Sequence, residues 1–276
     1  MKQLFIATVL LLLFSGLCMT TPVHAQSVVL ADPAGDDNGP GTYEYPLDLA
    51  YKSGSFDLRK VTIRKSGYAE SSNRLELEIE VNAVLEDVWR TGAGFSLQMI
   101  FIFIDTDLIP GSGFTTAPPG LNISFAPQNA WDKCIIISPQ TTQRVQKEIE
   151  AKLSPEMAKA MIIARNAKGA GRKIRATADW IETPQPDQYA YQAVMQVNDG
   201  FPLGKDLLTR RIWSSPGIHR FGGGTDNDCD PNVLDILAGN AKGDDSEKND
   251  QYKMLQYVCA EDGSTTRMPV LRMIRP

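Results

Sequence analysis

The most constraining feature of the sequence is an alternation of apolar and polar residues over residues 74–84. A period of two describes a β-strand with one buried and one solvated face, and no helix satisfies it. Residues 95–105 begin with the same alternation and end apolar on both faces, which predicts a central strand covered on both sides. The first segment alternates Leu75, Leu77, Ile79 and Val81 with Glu76, Glu78, Glu80 and Asn82.

Further short strands are predicted on either side of these two segments, separated by turns rich in glycine and proline. Many short strands at moderate spacing are typical of an all-β sandwich, and a chain of 276 residues accommodates a single such domain. Residues 231–238 have the pattern of a short helix with Asp230 as its N-cap. The remaining predicted strands are residues 27–31, 56–65, 121–126, 133–138, 172–181, 189–198, 252–258 and 269–274.

Residues 140–168 interrupt the strands with apolar residues at helical spacing. Val145, Ile149 and Leu153 share one face of the first predicted helix. Residues 154–156, Ser-Pro-Glu, supply the N-cap, the N1 proline and the early acid that begin a second helix, which is predicted to end near residue 169. We interpret the segment as a helical hairpin inserted between strands and packed against the sandwich. The alternative is a surface for a partner or a membrane.

The N-terminus has the three parts of a secretory signal peptide. Lys2 supplies the positive charge, residues 4–14 form an apolar run too short to span a bilayer, and residues 23–25 provide a cleavage site before Gln26. Residues 1–25 are therefore predicted to be removed, which leaves residues 26–276 as one exported domain. We expect a periplasmic or extracellular protein that does not span the membrane.

Charge and motif content exclude several classes of function. The chain has a net charge of −5 and no basic patch, so a nucleic-acid partner is excluded, because neutralisation of phosphate supplies most of that affinity. Loss of the signal peptide leaves His219 as the only histidine, which excludes a histidine-rich zinc site. Glycine-rich phosphate loops, Gly-x-Ser-x-Gly and His-Glu-x-x-His are absent from the sequence. The sequence therefore lacks the signatures of these enzyme classes.

Three cysteines follow the signal peptide. An oxidising compartment allows one disulfide among them, and Cys229 with Cys259 is predicted because both lie in the loop-rich C-terminal part. Spacing alone leaves the other pairings open. Cys134 lies in an apolar strand pattern and is predicted to be a small buried residue of the core.

Three acidic stretches carry the hard oxygen ligands that Ca²⁺ prefers. Residues 32–46 contain three glycines and three prolines and are predicted to form an ordered, sharply folded loop. Residues 105–107 end the apolar strand, and residues 226–230 place aspartates at alternate positions like an EF-hand but lack its later glycine and glutamate. Solvated loops with Asx turns are the alternative. The candidate calcium ligands are Asp32, Asp36, Asp37, Asp105, Asp107, Asp226, Asp228 and Asp230.

Aromatic residues outside the obvious core pattern are candidate platforms for sugar rings, whose apolar faces lie flat on aromatic planes. Trp89 and Trp131 lie in predicted loops, and Tyr43 and Tyr45 lie in the first acidic stretch. These four residues are the candidate sugar-binding residues. For the two tryptophans, a position in the core or over a sheet edge is the alternative.

Several longer motifs are distinctive. They are Asp-Pro-x-Gly-Asp-Asp-x-Gly-Pro-Gly-Thr-Tyr-x-Tyr-Pro at 32–46, Ser-Phe-Asp-Leu at 55–58, Gly-Phe-Ser-Leu-Gln at 94–98, Ile-Asp-Thr-Asp at 104–107, Ala-Trp-Asp at 130–132, Arg-Phe-Gly-Gly-Gly at 220–224, Asp-Pro-Asn-Val-x-Asp at 230–235 and Gln-Tyr-Lys-Met-Leu at 251–255. Together they resemble the C-terminal domain of glucodextranase, a family similar to DOMON-like and family-nine carbohydrate-binding sandwiches. The helical segment 140–168 lies outside this pattern.

The resemblance implies an immunoglobulin-like or DOMON-like antiparallel β-sandwich. It also implies a non-catalytic carbohydrate-binding module for α-glucan-type saccharides, with structural calcium. The implied partners are an oligo- or polysaccharide and a glycosidase or transporter encoded nearby.

Two alternatives to saccharide binding stay open at the level of sequence. Some DOMON-like domains ligate haem through histidine and methionine, and His219 with Met99 or Met195 could do so in an electron carrier. The other alternative is a structural module that docks proteins or the cell envelope through the helical hairpin.

Overall fold

The structure is a computed structural model, and it describes residues 27–32, 34, 52–66, 73–118, 121, 123–197, 236–238 and 270–275. Short 3-10 helices lie at Pro127–Asn129 and Pro186–Gln188. Twelve strands and two α-helices lie in the described ranges. They are β1 (Ser27–Ala31), β2 (Leu58–Lys65), β3 (Arg74–Val81), β4 (Gln98–Asp105), β5 (Ser124–Phe125), β6 (Lys133–Ile137), α1 (Thr142–Lys152), α2 (Pro155–Ala160), β7 (Met161–Ile163), β8 (Arg165–Ala170), β9 (Lys173–Asp179), β10 (Ala190–Val197), β11 (Ile236–Ala238) and β12 (Val270–Leu271).

Two five-stranded sheets form the body of the molecule, which confirms the predicted all-β sandwich. The first sheet has the order β1-β2-β3-β9-β8, and all of its neighbouring strands are antiparallel. The second sheet has the order β11-β10-β4-β6-β7. Its three central strands are antiparallel, and its edge strands β11 and β7 each pair in parallel with a neighbour. Strands β5 and β12 form a separate parallel pair.

The main core lies between the two sheets. On β3, Leu75, Leu77, Ile79 and Val81 point into it and are at most 2% exposed, as their alternation predicts. Isoleucines of β4 and β6 meet them from the second sheet. The glutamates of β3 lie on the opposite face, where Glu78 contacts Lys173 at 2.7 Å and Arg175 at 2.8 Å.

A second core covers the outer face of the second sheet. Strand β4 is buried along its whole length, because Ile100, Ile102 and Ile104 face the main core while alternate residues face the second core. The predicted central strand is confirmed. The second core is closed by α1, through Val145 and Ile149, and by the segment before β6. Its residues from β4 are Met99, Phe101 and Phe103.

The two predicted helices are present, but the second one is shorter than its pattern indicates. Thr141 caps α1 by accepting from the Arg144 N–H, and Ser154 caps α2 by accepting from the Met157 N–H. Helix α2 ends at Ala160, and residues 161–170 form β7 and β8 rather than the end of a hairpin. The reason is tertiary: residues 161–163 pair in parallel with β6, so an apolar run that suits a helix is held as an edge strand.

Two other segments differ from prediction. Residues 236–238 form β11 rather than the end of a helix, because they pair in parallel with Val194–Gln196 of β10. The predicted strand at 121–126 is reduced to the two residues of β5, which pair with β12. No helix in the described ranges is both long and apolar enough to cross a membrane.

Candidate functional site

Many of the residues singled out by the sequence lie outside the described ranges. The structure does not describe these residues, so what the sequence indicates for them remains a prediction. They are the signal peptide 1–25, Asp36, Asp37, Tyr43, Tyr45, His219, Asp226, Asp228, Asp230, and the cysteines Cys229 and Cys259. The described candidates are Asp32, Trp89, Asp105, Asp107, Trp131, Cys134, Met99 and Met195.

Trp131 belongs to the core, so its assignment as a sugar platform is wrong. The residue is 0% exposed, and its Nε1–H donates to the Thr116 carbonyl at 3.1 Å. Its ring lies 4.8 Å from that of Phe114 and 5.2 Å from that of Phe103. A bridge between Phe114 and Trp131 closes the preceding loop over the second sheet, which removes the indole from solvent.

Trp89 is accessible, as a platform requires. It is 45% exposed and lies in the segment between β3 and β4. Its backbone N–H donates to Ser96 Oγ at 3.1 Å. This bond ties the segment around Trp89 to the residues just before β4. We call residues 84–92 the Trp89 loop; Val84 and Val88 are also exposed there. An exposed apolar surface on a loop whose backbone is held by hydrogen bonds is suited to stacking.

Asp87 organises the Trp89 loop. Its Oδ1 accepts from the backbone N–H and hydroxyl of Thr91 and from the Ser96 hydroxyl, and its Oδ2 accepts from the Gly92 N–H. Burial by itself would raise the pKa of Asp87, but these hydrogen bonds outweigh it and hold the pKa well below the ordinary value of 3.8. The carboxylate is therefore ionised at neutral pH and stabilises the turn that presents Trp89.

Three carboxylates meet at one end of the second sheet, and we call Asp105, Asp107 and Asp132 the acid cluster. One oxygen of each lies within 4.8 Å of the others. Asp105 ends β4 and Asp132 precedes β6, and the antiparallel register of Ile104 with Lys133 brings the two together. Asp132 is the ligand candidate that sequence reasoning missed. Its place just before a strand antiparallel to β4 was the available signal.

Local hydrogen bonds hold the acid cluster in place. Thr106 donates to Asp132 Oδ2 from its N–H at 2.7 Å and from its hydroxyl at 2.8 Å. The Leu108 N–H donates to Asp105 Oδ1, and the Ser112 hydroxyl donates to Asp107 Oδ1. Burial raises the pKa of Asp105 above 3.8, and the charges of Asp132 and Asp107 raise it further despite the bond from Leu108. The cluster concentrates negative charge that a bound cation would neutralise.

Asp32 does not join the acid cluster, so the structure divides the candidate calcium set. It follows β1 in the first sheet, and its backbone N–H donates to the Arg59 carbonyl at 3.1 Å. The three carboxylates that the described ranges bring together are those of the acid cluster.

The other described candidates are core residues. Cys134 is buried and unbridged on β6, as predicted, and burial raises the pKa of its thiol. Met99 and Met195 are both 0% exposed, Met99 in the second core and Met195 in the main core. Their thioethers are packed among apolar side chains, and nothing in the described ranges favours haem ligation by either.

A cleft of about 970 Å³ opens on one side of the sandwich. It lies where the chain passes from β7, at the edge of one sheet, to β8, at the edge of the other. Its walls are β7, the first turns of α1, and the segment from Asp179 to Glu182. Trp180 and Tyr189 stack in one wall with ring centroids 5.9 Å apart, and Tyr189 is partly exposed. The sequence did not predict this cleft.

Comparison with known families bears on the Trp89 loop, the acid cluster and the cleft. Residues 28–273 match the family described as the SLH-like C-terminal binding module of glucodextranase. The chain belongs to this family. The match takes in the Trp89 loop, the acid cluster and the cleft, and it confirms the resemblance drawn from the motifs. The glucodextranase C-terminal family is described as a binding module, not a catalytic domain. A search of curated proteins finds no match to the chain.

Proposed function

We propose that this member of the glucodextranase C-terminal family is a non-catalytic carbohydrate-binding module for α-glucan-type saccharides. The observation that carries the proposal is the half-exposed indole of Trp89 on a loop fixed by Asp87. A glucose ring has an apolar face that packs on such an indole, and its hydroxyls take hydrogen bonds from neighbouring polar groups. A fixed platform binds more tightly than a mobile one, because less conformational entropy is lost on binding. Tyr43 and Tyr45 are proposed as further platforms.

Affinity gel electrophoresis on soluble α-glucans tests this proposal. We expect the protein to be retarded by the polysaccharide, and Trp89→Ala to lose most of the retardation. Val29→Ala is the matched control, because Val29 is 53% exposed on the edge strand β1 and is remote in sequence from the Trp89 loop. Unchanged migration of the unmodified protein across a panel of α-glucans would contradict the proposal. Equal retardation of Trp89→Ala and Val29→Ala would reject Trp89 as the platform.

We propose that the acid cluster holds a structural Ca²⁺. The donor set fits this ion, because three carboxylates offer hard oxygens and Ca²⁺ in proteins is coordinated by oxygen. Burial and the nearby charges of Asp132 and Asp107 raise the pKa of Asp105, which supports a place for a counter-ion here. A bound Ca²⁺ would neutralise the cluster and tie the end of β4 to the start of β6. Asp32, Asp36, Asp37, Asp226, Asp228 and Asp230 remain proposed ligands for calcium elsewhere in the chain.

We also propose that the protein is exported to the periplasm or the extracellular space. The support is the signal-peptide pattern of residues 1–25. N-terminal sequencing of the mature protein should begin at Gln26, and a first residue at Met1 in the exported fraction would reject cleavage. Peptide mapping without reduction should recover Cys229 linked to Cys259, with Cys134 reactive only after unfolding.

A further inference from the structure

We propose that the cleft between β7 and β8 is a second binding site, specific for a saccharide unit that carries a carboxylate, such as a uronic acid. The site is separate from the Trp89 loop. The size of the cleft, the charges in its walls and its polar and aromatic lining support this site.

Cations outnumber acids in the walls of the cleft. Lys133, Lys159 and Arg165 line it, against the carboxylates Asp179 and Glu182. A cleft with an excess of positive charge on a chain whose net charge is −5 is a local feature that the overall composition does not explain. Such a cleft raises the local concentration of anions.

One of the two acids is already neutralised. Asp179 Oδ1 lies 3.2 Å from Arg74 Nε, and its Oδ2 lies 3.2 Å from Arg165 Nη2. Two guanidinium groups thus share one carboxylate, so Asp179 adds no unpaired negative charge to the cleft.

The two lysines, Lys133 and Lys159, form no ion pair in the described ranges, although Lys133 directly follows Asp132 of the acid cluster. Lys159 is exposed near the end of α2. The carboxylate of Glu156, which is also exposed on α2, interacts with its charge. Neither ammonium group is held by a carboxylate of the described residues, and hydrogen bonds to charged groups are stronger than neutral ones.

The rest of the lining indicates a sugar rather than a simple anion. The side chains of Gln143, Gln146 and Asn166 offer amide donors and acceptors, which match ring hydroxyls. Tyr189 adds a partly exposed aromatic ring, stacked on Trp180. A volume of about 970 Å³ is at the upper end of ordinary small-ligand pockets and accommodates a short oligosaccharide. Charge for the carboxylate, amides for hydroxyls and an aromatic ring for the sugar face occur together in one cleft.

Isothermal titration with oligogalacturonate and with its fully methyl-esterified form tests the inference. The two oligomers differ in charge but share a backbone, so the ratio of their dissociation constants isolates the carboxylates. We expect the acid form to bind and the ester to bind at least about tenfold more weakly. Equal affinity for the two forms overturns the proposal. Equal competition by inorganic polyphosphate also overturns it, because that result describes a general anion site.

Three variants locate the site. The double variant Lys133→Gln, Lys159→Gln should weaken binding of the acid oligomer by about tenfold or more. The double variant Lys147→Gln, Arg172→Gln removes the same charge from exposed positions outside the cleft and should bind normally. Glu182→Gln removes an exposed acid from the cleft and should tighten binding, a gain that misfolding cannot produce. Equal loss in both double variants, or no gain in Glu182→Gln, overturns the assignment.

The outcomes separate this site from the proposed function. If α-glucan binding depends on Trp89 while the acid oligomer does not bind, the cleft proposal fails and the proposed function stands. If the acid oligomer binds in the cleft but no α-glucan is retained, the proposed function fails and the cleft proposal stands.

Discussion

At the scale of single residues, Asp87 organises the hydrogen bonds of the loop that carries Trp89, the proposed sugar platform. The carboxylate accepts four hydrogen bonds, and the residue two positions later is the exposed Trp89. Trp131 shows the opposite case, because an equally large indole in another loop is fully buried by neighbouring aromatic rings. Local sequence alone does not separate the two tryptophans.

Asp87→Ala should destabilise the protein by about 1–3 kcal/mol, because it leaves the partly buried donors of Thr91 and Ser96 without their acceptor. Retardation by α-glucan should fall as well, since Trp89 loses its fixed position. Urea unfolding measures the first effect and affinity electrophoresis the second. Asp187→Ala removes an exposed acid and is the control. Equal unfolding midpoints for the two variants would contradict the role given to Asp87.

The depressed pKa of Asp87 has a defined pH consequence. Its stabilisation of the fold is fully present above the ordinary value of 3.8 and is lost as the pH falls through the lower folded pKa. The raised pKa of Asp105 has the opposite sign, so its contribution is present at low pH and is lost as the pH rises through the folded pKa.

Asp105→Asn should therefore remove part of the pH dependence of stability. With chelator present, the unfolding midpoint of the unmodified protein should fall relative to that of the variant as the pH rises above the ordinary aspartate value of 3.8 and through the raised folded pKa. Asparagine keeps an oxygen for the Leu108 N–H, so the local turn is retained. If the unfolding midpoints of the two proteins change in parallel with pH, the ionisation of Asp105 does not affect stability and the prediction is contradicted.

At the scale of elements, the segment before β4 is held against β8 by a close backbone approach. A Cβ added to Gly94 would lie 2.3 Å from the Gly169 carbonyl oxygen, and the Gly169 N–H donates to the Ala93 carbonyl at 2.7 Å. The Lys168 ammonium donates to the Gly92 carbonyl. These contacts place the Trp89 loop at the β8–β9 turn.

Gly94→Ala should be strongly destabilising, and Gly92→Ala is its matched control. Both glycines have positive φ, +80° and +79°, so each substitution bears the same backbone strain of about 1 kcal/mol. Nothing lies within 4 Å of a Cβ at Gly92, whereas the one at Gly94 meets backbone. We expect Gly94→Ala to cost about 1–3 kcal/mol more than Gly92→Ala in urea unfolding. If the two variants lose the same free energy of unfolding, β8 can shift away from the added Cβ at no energetic cost, and the prediction is contradicted.

At the scale of the whole molecule, β4 is a central strand of the second sheet and borders both the main core and the second core. Because β4 is buried on both faces and ends in Asp105, the acid cluster lies where the main core and the second core both reach the surface. A cation bound there would link elements of both layers.

Calcium should raise the melting temperature of the whole domain. A ligand bound only by the folded state at about one hundred times its dissociation constant contributes about 2.7 kcal/mol, or roughly 5–10 °C for a chain of this size. Asp107→Asn should abolish the shift, and Asp187→Asn should keep it. Calorimetry with calcium and with chelator makes the comparison, and identical curves for the unmodified protein would reject calcium binding.

The sequence by itself determined the features that depend on local periodicity and caps. The alternation on β3, the doubly apolar β4 and strand β1 at residues 27–31 appear where their patterns predict them. Thr141 and Ser154 cap the helices as their residue types indicate. The long motifs also identified the family. These signals are local because a strand period or a cap is set by residues a few positions apart.

Only the tertiary structure decided which residues meet. The antiparallel register of β4 with β6 places Asp132 beside Asp105, and the parallel pairing with β6 turns residues 161–163 from a predicted helix into an edge strand. Long-range packing buries Trp131 and leaves Trp89 exposed, and the crossing from β7 to β8 opens the cleft. Proximity and burial arise from contacts between distant segments, which no local pattern encodes.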